Sequence, residues 1–303
     1  MRTLLIGHAG VSWRGWLKEN RGEADLVCLD PADNQQPHPA VLSLYHGEQL
    51  RLWRFYGSLD ASRAPHVLLT AAAVLLQAAQ AEVIIQAPAF RPGPVARQTV
   101  LLLAEATHPD SILIADGTDL TPDGFNVGPE AVQLESGFPP VVNAAQRKAR
   151  WMGFIESATE QEVPLDRLSI EGSRLGSGRP LTLRDLDRHV PAAVHAELTG
   201  SVLFVVTTTP VDDGDAARAL DAFHATSLQT AAEADYENLV CSLARGSGED
   251  FALGIIRKID FRRRTVTLLS DAVPPAPATI LRLGALRVDS KGNEHGETRP
   301  WSL

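Results

Sequence analysis

The segment Leu4-Leu5-Ile6-Gly7-His8-Ala9-Gly10-Val11-Ser12-Trp13-Arg14 places an apolar run, two glycines and a hydroxyl ahead of a stretch that can continue as helix. A strand, a glycine-containing loop and a helix start, in that order, grip phosphate, because unpaired N–H groups and the positive end of the helix dipole face the anion. The full phosphate loop is G-x-x-x-x-G-K-S/T, whose lysine reaches the β and γ phosphates and whose hydroxyl holds magnesium. Counted from Gly7, Ser12 stands at the second glycine, Trp13 at the lysine and Arg14 at the hydroxyl residue. The spacing survives and the chemistry does not, since an indole carries no charge and its bulk fills part of the cradle. Gly7, Gly10, Ser12, Trp13 and Arg14 are therefore candidates for weak binding of ATP or GTP with Mg²⁺, beside the plainer reading of a sheet-to-helix turn.

Four apolar runs predict buried strands that carry this loop: Thr3 to Ile6, Leu26 to Leu29, Val83 to Ile85 and Ser111 to Ala115. Helical stretches from His66 to Ala81 and from Val95 to Ala106 predict the crossovers of a parallel sheet covered on both faces. The runs Ala40 to Tyr45 and Leu50 to Tyr56, joined around Gly47, predict an inserted hairpin, and Asn143 to Glu156 a further helix. From about Leu168 the strand-prone runs Ser201 to Thr207, Asn238 to Leu243, Phe251 to Ile259, Thr265 to Leu269 and Thr279 to Val288 predict a second, mostly β domain. Lys291 to Leu303 reads as a frayed end. The expected architecture is thus a P-loop NTPase-like α/β domain, a parallel sheet flanked by helices over 1–165, followed by a small β-rich domain over 168–303.

With the phosphate-loop position fixed, further segments line up in order, and the chain resembles the polynucleotide 5′-hydroxyl kinase family, which includes RNA 5′-kinases of pre-rRNA processing and the kinase-like subunit of mRNA cleavage factor. Leu29-Asp30-Pro31-Ala32-Asp33-Asn34-Gln35 is similar to the family's D-x-D-x-x-Q strand end, and Val83 to Phe90 to its buried strand ending in the T-P-G-W substrate clasp. Arg147-Lys148-Ala149-Arg150 matches the lid R-x-x-R, and Gly172-Ser173-Arg174-Leu175-Gly176-Ser177-Gly178-Arg179-Pro180-Leu181 resembles the G-T-R-L-G-x-G-x-P-L linker. The resemblance implies catalytic roles for Asp30, Arg147 and Arg150, and substrate contacts for Gln35, Pro88 and Phe90. The departures cut the other way. Ala32 replaces the second aspartate, Asp33 is expected to point elsewhere, and the clasp reads Ala87-Pro88-Ala89-Phe90. One arginine finger alone is worth roughly 10³ to 10⁵ in rate, so losing the lysine, the hydroxyl and the second aspartate together implies a pseudokinase. An active ATP-dependent RNA 5′-kinase with a non-standard loop is the alternative, and a structural module without a ligand is a third.

Composition bounds the partners. The 303 residues carry 28 Lys and Arg against 37 Asp and Glu, a net charge of −9 that argues against a general phosphate-backbone binder. One local basic cluster stands out, with Arg257, Lys258, Arg262, Arg263 and Arg264 on and beside a hairpin; Arg257, Lys258 and Arg263 are the candidate RNA contacts, and a charged edge against aggregation explains them equally. Nine histidines show no metal-ligand spacing, no nucleophile elbow occurs, and Asp212-Asp213-Gly214-Asp215 reads as a solvated acidic loop. Cys28 and Cys241 lie in apolar settings, which fits core thiols in a reducing compartment. With no apolar run of membrane-span length, the expectation is a cytoplasmic protein with an RNA or protein partner and no membrane contact.

Overall fold

The computed structural model describes residues 1–80, 82–122, 124–128, 131–186, 188–272 and 278–298. The chain divides into two compact units, Met1–Trp151 and Met152–Leu303.

The first unit holds β1 (Arg2–Ile6), β2 (Val11–Ser12), α1 (Arg14–Asn20), β3 (Asp25–Cys28), β4 (Val41–His46), β5 (Gln49–Phe55), α2 (Pro65–Ala78), β6 (Val83–Gln86), α3 (Pro94–Thr107), β7 (Ser111–Ile114), β8 (Glu135–Ser136) and α4 (Pro140–Ser157), which runs past the division. Six strands form one sheet in the order β5-β4-β3-β6-β1-β7. β3, β6, β1 and β7 are parallel, and β4 and β5 add an antiparallel hairpin. Strands covered on both faces have no polar side to show, which is why the middles of β1, β3 and β6, Leu4 to Ile6, Leu26 to Cys28 and Val83 to Ile85, are apolar without a break. Prolines in the first turns of α2 and α3 need no amide partner there, and the helices bury Leu68, Ala72 and Leu75, and Val100, Leu103 and Ala104, against the sheet. A second cluster of Leu5, Trp13, Leu17, Leu26, Ile84 and Ala115 forms with α1. The parallel strands bring the carboxyl ends of β3, β6 and β1 side by side, the place where open α/β sheets hold their ligands.

The second unit holds β9 (Thr159–Pro164), β10 (Ser169–Glu171), β11 (Arg179–Pro180), α5 (Leu183–Leu186), β12 (Ala193–Thr199), β13 (Val202–Thr207), α6 (Asp213–Ala222), β14 (Ser227–Ala232), β15 (Leu239–Ala244), β16 (Asp250–Asp260), β17 (Thr265–Ser270), β18 (Ile280–Val288) and β19 (Glu294–Glu297). One sheet runs β10-β18-β15-β16-β17-β9 with β19 on β18, and another runs β11-β12-β13-β14. Their shared core includes Phe204, Tyr236, Ile256, Val266 and Leu281. Between β10 and β11, Gly172 has φ +80 and would set a Cβ 2.3 Å from the Leu283 carbonyl, so that turn admits no side chain. The carboxylate of Glu197 accepts from Gly176 N–H and Gly178 N–H, each at 2.8 Å, and from His195 Nε2 at 2.7 Å. Burial alone would raise the Glu197 pKa; these donors bring it below the usual range.

Several expectations shift. The boundary foreseen at 165–168 falls inside the second unit, because β9 pairs with β17 along its length. The acidic loop at Asp212 is the start of α6, with the Asp212 side chain accepting from Asp215 N–H. The foreseen fraying is limited: β19 pairs with β18, while 299–303 lie outside the described residues, as does Ala81 at the end foreseen for the first crossover helix.

Candidate functional site

The loop after β1 is tied into the protein rather than held open. Ala9 N–H donates to the Phe90 carbonyl at 3.2 Å, Val11 N–H to the His8 carbonyl at 3.4 Å, and Arg14 N–H to Ser12 Oγ at 3.3 Å. β2 pairs with β8, matching Val11 to Ser136 and Ser12 to Glu135, and Gly137 N–H closes onto the Gly10 carbonyl at 2.8 Å. A Cβ on Gly137 would press within 3.4 Å of the Gly10 backbone, so that segment lies directly on the loop. Trp13 is 4% exposed and sits in the apolar cluster with Leu5, Leu17 and Leu26, its ring 5.6 Å from Trp16 edge to face. Its Nε1 is buried with no acceptor and would lie 3.0 Å from a Cβ on Gly7. The indole therefore takes the inner side of the loop, against the glycine, while Arg14 is exposed.

A polar cluster lies beyond β3 and β6. Asp30 accepts from Ala32 N–H at 2.9 Å and Ala89 N–H at 3.2 Å. Burial, then the charge of Asp33, push its carboxyl up to about 6, against the pull of those two amides and of Arg147. Asp33 was expected to point away; instead it accepts from Gln86 Nε2 at 2.7 Å, close enough to Asp30 to act on it. The shift of one residue is absorbed by the turn, in which Asp33 also accepts Gln35 N–H at 2.7 Å. Gln86 is 5% exposed and its Oε1 has no donor.

α4 faces this turn through Asn143, Arg147 and Arg150, which share one helical face. Asn34 Nδ2 donates to Asn143 Oδ1 at 2.8 Å and Arg150 Nη2 to the Gln36 carbonyl, while Arg150 Nη1 is buried without an acceptor. Desolvation lowers the Arg150 pKa, with Tyr45 and Asp33 pulling it back. Gln36 escaped the sequence reading. It is fully buried, its Nε2 donating to the Cys28 and Asp30 carbonyls and its Oε1 accepting from Ser43 Oγ, so it pins the turn that carries Asp30. A glutamine that serves as an internal brace has no signal in sequence.

Other candidates fall elsewhere. Phe90 is 4% exposed and packed in the main core, and Pro88 is buried, so the foreseen clasp offers no free ring for stacking on a base. Gln35 enters the cluster through its backbone, accepting the Tyr45 hydroxyl at 2.7 Å. Arg257, Lys258 and Arg263 belong to the second unit; Lys258 Nζ and Arg263 Nε lie 3.8 and 4.0 Å from Asp260, and Arg264 pairs with Asp166. Much of the ribbon's charge is thus met locally. Among the described residues no group of three or more His, Cys, Asp or Glu is arranged to hold a metal, and no helix is long and apolar enough to cross a membrane.

No protein-family model matches the chain, and no curated protein matches it. Solved structures do. The chain is similar to Clp1p in a structure of the extended interface between Pcf11p and Clp1p, which also addresses ATP loss in a point mutant. There the identity is 12% and the TM-score 0.56, over 94% of this chain and 74% of that one. The wild-type Clp1p–Pcf11p complex gives 11% and 0.55 over the same shares. The chain has a Clp1p-like fold.

Proposed function

We propose that this chain is a catalytically degenerate relative of the polynucleotide 5′-hydroxyl kinases, a binding module that has kept the fold and lost phosphoryl transfer. The observation that carries the reading is Trp13: at the position of the phosphate-gripping lysine stands a buried indole lodged against Gly7. The loop does not fit a triphosphate with Mg²⁺, because Ala9, Val11 and Arg14 amides already have protein acceptors and β8 lies across it. Phosphoryl transfer depends on cations set against developing charge, and this loop supplies none in its interior. The Clp1p neighbours are complexes with a protein, Pcf11p, which favours a protein partner over RNA.

One observation favours an active kinase instead: a carboxyl near pKa 6 at Asp30, within electrostatic reach of Arg147, is poised to take a proton from a hydroxyl at neutral pH. Incubation with γ-labelled ATP or GTP, Mg²⁺ and a 5′-hydroxyl oligoribonucleotide separates the two. No transfer above a no-protein control is expected, and labelled oligonucleotide overturns the pseudokinase reading. A thermal shift with nucleotide but no transfer keeps a ligand-binding module, and no shift with any nucleotide or RNA leaves the protein-binding form.

A further inference from the structure

α4 is built inside out over its first three turns. At about 100° per residue, Asn143, Arg147 and Arg150 fall on one side of the helix. That polar side meets the turn that carries Asp30 and Asp33: Asn143 Oδ1 accepts from Asn34 Nδ2, Arg150 Nη2 donates to the Gln36 carbonyl, and Arg147 lies within electrostatic reach of Asp30. The opposite side carries Val141, Ala144, Ala145, Lys148 and Ala149, all exposed. A surface helix ordinarily does the reverse and turns its apolar stripe to the core. The lead-in extends the outward surface, with Phe138 50% exposed, Pro139 and Pro140 exposed, and Val141 at 78%. Asn143 Nδ2 donates to the Phe138 carbonyl at 3.2 Å, so this segment is fixed on the helix before anything binds. Scattered exposed apolar residues are ordinary, but a contiguous run of them marks an interface.

The charge around this surface has one sign. No Asp or Glu occurs between Glu135 and Glu156, and Lys148 stands on the outward side, in a chain of net charge −9. Glu135 turns its carboxylate onto α1, 3.6 Å from where a Cβ on Gly15 would lie. We propose that the outward side of α4, together with Phe138, docks an acidic amphipathic helix of a partner protein. The proposal rests on the protein-binding reading above and supplies the chemistry of the partner. Ala144, Ala145 and Ala149 let a second helix backbone approach closely, Phe138 and Val141 are the apolar anchors at one end, and Lys148, two turns from Val141, meets a carboxylate beside the partner's apolar stripe. A second copy of the chain and an anionic membrane are both disfavoured by the repulsion of −9 against like charge.

A library of random peptides about sixteen residues long, four helical turns, displayed on phage and selected on the full chain, tests this without nucleotide. It is therefore independent of the phosphoryl-transfer assay, and either can fail alone. Enriched peptides are expected to carry apolar residues at i, i+3, i+4 and i+7 with Asp or Glu beside them. Titrated as free labelled peptides, they are expected to bind Val141→Glu about tenfold or more weakly and Lys148→Glu several-fold more weakly, with wild-type affinity for Lys148→Arg. Val141 and Lys148 are exposed, so the variants keep the wild-type circular dichroism and melting temperature. No enrichment overturns the proposal, as do enriched peptides without acidic residues or binding indifferent to Val141→Glu. Dimerisation lost in Val141→Glu assigns the surface to a second copy instead, and co-flotation with phosphatidylserine vesicles assigns it to a membrane; either result also overturns the proposal.

Discussion

Trp13 brings more apolar surface to its loop than the lysine of a phosphate loop would, and the loop folds around it. Truncating a buried aromatic removes both its transfer free energy and its packing. Trp13→Ala is expected to cost about 3–5 kcal/mol, read as a shift in the urea midpoint, and Trp13→Lys to cost at least as much without gaining affinity for ATP, since the ammonium would enter the Leu5, Leu17 and Leu26 cluster. Asp30 offers a different handle. Its carboxyl is raised from 3.8 to about 6, so the folded state keeps a proton that the unfolded chain releases. Stability therefore falls as pH rises through that window, and the full penalty stands above it. Asp30→Asn should flatten the slope, leaving the variant about 1–3 kcal/mol more stable than wild type at pH 7.5 relative to pH 4; denaturation at both pH values checks this, and a steeper slope in the variant contradicts it. At this scale the sequence displayed Asp30 and Trp13 as chemistry. It did not display the reach of Asp33 or the bracing by Gln36, which depend on how a turn closes in space.

Elements were legible where burial forces a pattern. The apolar runs at Thr3, Leu26, Val83 and Ser111 became β1, β3, β6 and β7, and the hairpin around Gly47 became β4 and β5. β14 escaped because Ser227-Leu228-Gln229-Thr230-Ala231-Ala232 lies at a sheet edge with little of it buried. β8 and β11 have two residues each, too short for any periodicity. The turn at Gly172 was visible as a motif, but its reason is the Leu283 carbonyl more than a hundred residues away. Gly172→Ala would drive a Cβ into that oxygen from a left-handed backbone. A loss of about 2–4 kcal/mol is expected, seen as a lower melting temperature with the transition otherwise two-state for the affected unit; an unchanged melt contradicts the geometry.

At the scale of the molecule, the expectation of an α/β unit ahead of a β-rich one follows from the change in runs near Leu168. Its placement there was late because β9, Thr159-Glu160-Gln161-Glu162-Val163-Pro164, is largely exposed and carries too few apolar residues to announce which sheet it joins. Pairing with β17 decides it. The boundary between the two units, at Trp151 and Met152, lies within the eighteen residues of α4 rather than in a linker. A gene rearrangement that swapped one half for another, or an expression boundary drawn at that point, would therefore cut a hydrogen-bonded spiral and leave frayed stubs on both products. Any ancestral shuffling of these halves had to carry the entire helix, with its Asn143, Arg147 and Arg150, on one side of the join.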